Sequence, residues 1–283
     1  VIKNSIDIID DKARQYQLST SGTTGAGLII PFTRYAKRQV ECAFHKQMVI
    51  MFGSADKRWR YQFSGQKIPR IKGMVSVKCN FQKKILLDQY SLSEKNIEKY
   101  YETFKNYKVD WLHGYPSSIL ILKRILEEKY HKDIGKELGI NVISVSSEMI
   151  SAEEILELTN FFDSKVYNYY CQTEGVASLY SCSLGNLHVD TEFSDVKFLK
   201  STNEENTSFE IVGTSLINEA FPLVNYRTGD YVDKIYHDCA CGIKGVYVHQ
   251  IDGRKEDALR LSNGALVGRL DHITKGLEEL RFS

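Results

Sequence analysis

The sequence predicts an α/β layered domain, and three observations carry that expectation. Short β-branched or aromatic runs alternate with segments of helical periodicity, turn signals separate them, and no internal repeat or low-complexity tract breaks the pattern. The 283 residues suffice for one large or two modest domains with a substantial core. Hydrophobic residues make up 42% and charged residues 26%, an ordinary globular balance that argues against disorder. Against 37 basic side chains stand 36 acidic ones, so the net charge of +1 supplies no long-range field for nucleic acid or an anionic membrane. Basic clusters such as Lys57–Arg60 and Lys67–Lys72 read as solvated faces or loops. No apolar run approaches the ~18 residues that cross a bilayer. The start, Val1-Ile2-Lys3-Asn4-Ser5, shows no signal-peptide pattern. Six cysteines are too sparse for a disulfide scaffold, so reduced thiols in a cytoplasmic setting or a metal site are expected.

Element by element, Tyr16-Gln17-Leu18-Ser19 is strand-like, Ser21 to Gly27 is a polar Gly-rich loop, and Leu28-Ile29-Ile30 is a second strand. A helix follows from Thr33 to about Met48. Ser91-Leu92-Ser93-Glu94 has capping-box spacing and opens a helix reaching about Tyr107. After Pro116, Ile119, Leu122, Ile125 and Leu126 recur at helical spacing and form a buried face. Val142 to Val145 is a short strand, and Ser151-Ala152-Glu153-Glu154 is a second capping box for a helix ending at Phe162. Ser164 to Tyr169 is the next strand. Beyond Leu187 the pattern turns strand-rich, as in a small β-subdomain, and a last helix is expected from about Leu270 to Leu280.

Chemistry concentrates in a few stretches. Ser19-Thr20-Ser21-Gly22-Thr23-Thr24-Gly25-Ala26-Gly27 gathers hydroxyls and glycines in one loop, whose N–H and O–H groups can surround phosphate oxygens. It lacks the Gly-Lys-Ser/Thr ending of the common nucleotide loop, and read alone it could equally be a hairpin. Tyr170-Cys171-Gln172-Thr173-Glu174-Gly175 follows a strand, which puts Thr173 and Glu174 where open α/β sheets place ligands. Glu174 could be a surface carboxylate or a ligand for Mg2+, a hard cation that takes carboxylate oxygen. Asn225-Tyr226-Arg227-Thr228-Gly229-Asp230 is a turn whose Asp230 could accept bonds from two ribose hydroxyls. Asp252-Gly253-Arg254-Lys255-Glu256-Asp257 adds a cation and a charged turn. Cys182, His188, Cys239 and Cys241 offer the thiolate and imidazole ligands that zinc prefers, with four completing a closed site. His237 is a substitute for His188, and separate reduced thiols are the other reading.

In this order and at these separations, the stretches resemble the adenylate-forming superfamily of acyl-CoA synthetases, luciferases and peptide-synthetase adenylation domains. The nearest branch resembles the phenylacetate–CoA ligase-like proteins, including those encoded with capsular polysaccharide genes. That branch also shows His-Gly-Tyr-Pro-Ser, here His113 to Ser117, and a Cys-x-Cys-Gly, here Cys239 to Gly242. The resemblance implies the large N-terminal domain of the adenylate-forming fold, with layered sheets and helices plus a β-rich subdomain. Residues 1–252 would form the nucleotide- and acyl-binding core, with the subdomain at about 187–252. Residues 253–283 would be the hinge and the remnant or start of a C-terminal lid that is otherwise largely absent.

Residue by residue, the resemblance implies that Ser21, Gly22, Thr23, Thr24 and Gly25 hold the ATP phosphates. Ser147 and Glu148 line the adenine pocket, Tyr170 stacks on adenine, Thr173 touches the α-phosphate, and Glu174 holds Mg2+. Asp230 binds the ribose, Arg254 is the nearby catalytic cation, and Glu256 or Asp257 is the hinge. His113, Gly114 and Tyr115 draw the acyl pocket. Two departures stand out: no lysine follows the phosphate loop, and only 26 residues follow Asp257. The implied function is ATP- and Mg-dependent activation of a small carboxylic acid to its acyl-adenylate, followed by transfer to CoA or another thiol or amine. Alternatives are a catalytically silent nucleotide binder of the same fold and a zinc-stabilised scaffold domain.

Overall fold

A computed structural model of the chain describes residues 16–19, 29–63, 73–201, 208–254, 259–260 and 266–267. The chain divides into two compact units, one of Val1–Gln47 with Tyr170–Ser283 and the other Met48–Tyr169.

The Met48–Tyr169 unit is built on parallel strands. β3 (Arg60–Phe63) pairs in parallel with β5 (Lys84–Leu87) and β6 (Trp111–Gly114), and β6 with β7 (Val142–Ser146). β4 (Ser76–Cys79) closes the edge antiparallel to β5, and β7 pairs on its other side with β8 (Lys165–Cys171). Helices α2 (Ile97–Tyr107), α3 (Pro116–Lys129), α4 (Ile134–Glu137) and α5 (Ala152–Phe162) connect the strands. Strand side chains alternate, so Tyr61, Phe63, Leu112, Ile143 and Val145 enter one core with Phe104 of α2, Leu122 of α3 and Phe162 of α5. Arg60, Gln62, Trp111, His113 and Ser144 take the opposite face by the same alternation.

Helix ends follow local chemistry, with one correction. The capping box at Ser151 forms as expected, with Ser151 Oγ accepting from Glu154 N at 3.2 Å and Glu154 accepting from Ser151 N at 2.8 Å. The spacing at Ser91–Glu94 does not start a helix. Asp88 accepts from Tyr90 N and Ser91 Oγ, which draws Gln89–Ser91 into a 3-10 turn, and α2 begins at Ile97. A competing side-chain cap three residues upstream captured the serine. α1 (Arg34–Phe52) runs one turn beyond the expected end, since Gly53, with φ of +70°, is the first residue suited to stop it.

The other unit is strand-rich. β1 (Tyr16–Ser19) and β2 (Ile29–Phe32) form a hairpin, so the second strand extends past Pro31. β10 (Leu187–Val189) pairs with β9 (Ser178–Ser181) and β14 (Tyr247–Val248). β11 (Ser194–Lys200), β12 (Phe209–Ser215), β13 (Tyr226–Val232) and β15 (Gly253–Arg254) form an antiparallel sheet, and β16 (Leu259–Arg260) pairs with β17 (Leu266–Val267). Ala177, Leu179, Leu187, Ile211, Val232 and Val248 make the core of this β-rich part. Among the described residues no helix is long and apolar enough to cross a membrane.

Candidate functional site

In the strand-rich unit, the end of β8 and the turn after it meet β13. The turn closes through Gly175 N to Gln172 O at 3.0 Å, with Gly175 at φ of +66°. Tyr170 OH donates to Asp230 Oδ2 at 2.7 Å, and Gln172 Nε2 donates to the same oxygen at 2.8 Å. Asp230 is held from behind: its N–H donates to Thr228 Oγ1 at 3.0 Å, and Thr228 Oγ1 donates to Ile211 O at 2.8 Å. Burial first, and then the Asp230 charge, push the Tyr170 phenol well above its ordinary pKa, so it stays a protonated donor. Glu174 is buried, at 8% exposure, and Tyr226 OH donates to its Oε1 at 3.4 Å. Asp230 and Arg254 are register partners on β13 and β15. The arrangement offers a carboxylate held by two donors for a hydroxyl-bearing ligand, and on the same turn as Gln172 a buried carboxylate suited to a hard cation.

In the parallel-sheet unit, His113 and Gly114 end β6 and Tyr115 follows it, and Ser147 and Glu148 follow the end of β7. Both sets therefore lie at the carboxyl edge of the parallel strands. Ser144 Oγ accepts from Trp111 Nε1 at 2.8 Å and contacts His113 Nδ1 at 2.8 Å. Burial, then the Arg60 charge, lower the His113 pKa to about 4, so the ring is a neutral hydrogen-bonding group near pH 7 rather than a cation. A Cβ at Gly114 would fall 2.8 Å from Phe63 Cβ, so this position requires glycine. Tyr115 is the N-cap of α3 and provides no side-chain cap. Glu148 fills that role, accepting from Ser117 N and Ser117 Oγ, each at 3.0 Å. Ser147 sits at φ of +70°, an uncommon conformation for a residue with a Cβ.

Four ligand-type side chains converge elsewhere in the strand-rich unit. Cys182 follows β9, His188 lies in β10, and Cys239 and Cys241 lie in the loop between β13 and β14. Their ligand atoms all lie within 4.8 Å of one another. Zinc–sulfur bonds of about 2.3 Å in a tetrahedron imply ligand separations of roughly 3.8 Å, so the set is near closing distance. Leu184 N donates to Cys182 Sγ at 3.4 Å, Ile243 N to Cys241 Sγ at 3.4 Å, and Asn186 Nδ2 to Cys239 Sγ at 3.2 Å. Burial opposes ionisation of Cys239, but hydrogen bonds from Cys241 N and Asn186 outweigh it and lower the pKa, whereas burial pushes the Cys241 thiol up to about 11. His188 is fully buried between the rings of Tyr180 and Tyr247, and burial lowers its pKa, which leaves a neutral imidazole. Its Nε2 faces Cys241 Sγ at 3.4 Å. His237 is exposed and is not part of the cluster.

The loop residues Ser21, Gly22, Thr23, Thr24 and Gly25, the hinge candidates Glu256 and Asp257, and the expected helix at 270–280 lie outside the described residues. Sequence reasoning passed over Gln172, Tyr226, Ser144 and Asn186. Gln172 and Tyr226 were findable as members of the Tyr170–Glu174 and Asn225–Asp230 stretches. Nothing local marks Ser144 and Asn186, whose partners His113 and Cys239 lie 31 and 53 residues away.

No family model matches the chain, and no curated protein matches it in sequence. Solved structures do match in fold. One is 2-hydroxyisobutyryl-CoA ligase in its postadenylation state with an acyl-AMP, at TM-score 0.69 and 13% identity, covering 92% of this chain and 56% of that one. The same ligase in its thioesterification state, with 2-HIB-AMP and CoA, gives TM-score 0.68 and 15% identity over 89% of this chain and 54% of that one. An anthranilate CoA ligase with anthranoyl-AMP gives 0.54 and 14% over 90% and 50%. The fold is therefore that of the N-terminal domain of adenylate-forming CoA ligases, and the chain spans about half the length of these structures.

Proposed function

We propose that the chain is the nucleotide- and acid-binding part of an adenylate-forming ligase, which activates a carboxylic acid with ATP and Mg2+. The observation that carries this reading is the convergence of Tyr170 and Gln172 on Asp230, beside buried Glu174, on a fold shared with ligases that bind acyl-AMP. A substrate carboxylate oxygen attacks the α-phosphorus of ATP, the bond to the β-phosphate bridging oxygen breaks, and pyrophosphate leaves. Little covalent chemistry falls to the protein, which aligns two anions and offsets their charge. Asp230 holds the ribose, Tyr170 supports the adenine, and Thr173 and the Ser21–Gly25 loop meet the phosphates. Glu174 would hold Mg2+, which supplies charge neutralisation on the phosphates. His113, neutral and hydrogen-bonded to Ser144, would contact the acyl group with Gly114 and Tyr115; Ser147 and Glu148 would border the adenine, and Arg254, the register partner of Asp230, would supply the cation.

In the second step a thiol, with CoA the first candidate, attacks the acyl carbon and AMP leaves. The phenylacetate–CoA ligase-like branch, with its capsular polysaccharide members and a cytoplasmic setting, is the finer assignment. A structural zinc held by Cys182, His188, Cys239 and Cys241 belongs to the same reading. Its donor set, the N–H bonds to sulfur and the neutral buried His188 all suit that metal, which would tie β9 and β10 to the loop after β13.

The test is AMP and ATP binding by calorimetry, followed by carboxylate-dependent ATP–pyrophosphate exchange over a panel of acids. Binding with exchange supports the ligase. Binding without exchange for any acid identifies a silent nucleotide binder, and no nucleotide binding leaves the zinc-stabilised scaffold.

A further inference from the structure

Beyond the carboxyl edge of the parallel sheet, the Met48–Tyr169 unit carries a second feature at the opposite edge, where β3, β5 and β6 begin. A cleft of about 370 Å³ opens there, lined by Lys57, Arg58 and Trp59 just before β3, by Lys78 of β4, and by Tyr107 and Lys108 at the end of α2. Four-residue strands separate it by roughly 13 Å from the edge where His113 and Glu148 lie.

Charge in the cleft is one-sided. Lys57, Arg58, Lys78 and Lys108 face it, and among the described lining residues the single acid is Asp110, which pairs with Arg58 at 3.7 Å. Helix polarity accounts for Lys108 at the carboxyl end of α2, but Lys57 and Lys78 adjoin no helix terminus. Among the described residues Lys57, Lys78 and Lys108 make no ion pair, so their like charges repel, and a bound anion relieves that repulsion.

Aromatic rings interleave with the cations. Lys78 Nζ lies over both the Trp59 ring, at 4.9 Å, and the Tyr107 ring, at 5.4 Å, while Lys57 Nζ lies over Phe81 at 5.5 Å. Phe81, at the turn between β4 and β5, is 89% exposed and lies outside the cleft lining. The lysine stem is flexible, so the Lys78 ammonium can swing onto a phosphate and release the ring faces for stacking. Alternating ring faces and ammonium groups recognise a base joined to phosphate. The cleft volume falls in the range of small-molecule sites and suits one such unit rather than a strand.

We propose that this cleft is a second ligand site, separate from the adenylation site, that takes a single nucleoside polyphosphate by stacking its base and pairing its phosphates with Lys57, Lys78 and Lys108. The source of that chemistry could be a free nucleotide or the phosphorylated adenosine end of a larger cofactor.

The test uses the full chain with Asp230→Ala, which removes the proposed ribose ligand of the other site, together with calorimetry and tryptophan fluorescence. Of the two tryptophans, Trp111 is fully buried, so quenching on titration reports on Trp59. ADP, adenosine 3′,5′-bisphosphate and inorganic pyrophosphate are titrated separately. The proposal expects ADP or the bisphosphate to bind Asp230→Ala protein with quenching, and roughly tenfold more tightly than pyrophosphate, as base stacking predicts. The tighter of the two nucleotides identifies the source. Lys78→Glu with Lys108→Glu, both at exposed positions, should abolish this binding while AMP binding at intact Asp230 persists. Lys57→Glu serves as an independent check should the double variant melt early. No nucleotide binding to Asp230→Ala protein, equal affinity for pyrophosphate, or binding that survives the charge reversals would overturn the second site. Loss of AMP binding as well in the charge-reversed protein, with Asp230 intact and the fold retained, would instead sink the assignment of Asp230.

Discussion

Asp230 is the most informative residue to perturb, because its carboxylate serves the fold and the proposed ligand at once. One oxygen, Oδ2, takes both the Tyr170 hydroxyl at 2.7 Å and the Gln172 amide at 2.8 Å. Asp230→Ala strands two donors in half-buried surroundings, and unsatisfied donors cost about 1–3 kcal/mol each. Discounting for water that can reach them, a loss of about 2–3 kcal/mol is expected in a urea or thermal melt. Asp230→Asn keeps an amide oxygen at the Oδ2 position and turns two charge-assisted bonds into neutral ones, at a cost of about 1 kcal/mol. Toward the ligand the order differs. A ribose diol gains one or two charge-assisted bonds from the carboxylate, so Asn should already weaken AMP by roughly tenfold and Ala by more. The assays are paired: a melt for stability and AMP calorimetry for binding. Asn protein that binds AMP as tightly as the parent refutes the ribose role. Ala protein within about 0.5 kcal/mol of the parent refutes the claim that the Tyr170–Asp230–Gln172 cluster holds β8 to β13.

Elemental analysis of protein purified without chelator should give about one zinc per chain, and Cys239→Ser should lose it and lower the melting temperature. Freely alkylated thiols in a metal-free protein of undiminished stability would contradict the site. Glu174→Gln should depress Mg2+-dependent turnover more than AMP binding, since an amide is a poorer ligand for a hard cation; equal damage to both would break that division of roles. Thr23→Ala with Thr24→Ala should weaken ATP or slow adenylation by roughly tenfold or more, and unchanged affinity and exchange would remove the loop from the site. His113 has a folded pKa of about 4, below the 6.5 of an unfolded histidine, so the unfolded state takes up more protons between those values. Stability contributed by neutral His113 is therefore present above pH 6.5 and lost as pH falls toward 4, by roughly 2 kcal/mol once partial solvent access is allowed for. His113→Gln should flatten that part of a stability–pH profile, and an unaltered slope would show the burial to be immaterial.

The sequence by itself determined what depends on neighbours within a few positions. In β3 the alternation Arg60-Tyr61-Gln62-Phe63 is enough to fix which face enters the core, since side chains alternate with a period of two. The Ser151 capping box needed only Glu154 three residues on, and it formed. Where two local solutions competed, as with Asp88 and the Ser91–Glu94 spacing, residues that were each suitable gave a different outcome. Tertiary structure decided the rest, because hydrogen bonds and metal ligation depend on distance in space. Tyr170 reaches Asp230 across 60 positions, Asn186 reaches Cys239 across 53, and Glu148 caps a helix through Ser117, 31 residues earlier. The cleft basic residues show the same division. Read along the chain, Lys57–Arg60 is a solvated run, and only the folding of β4 and α2 beside it brings Lys78, Tyr107 and Lys108 to the same opening. Charge is written in the sequence, but the field it makes depends on which charges the chain returns to one place.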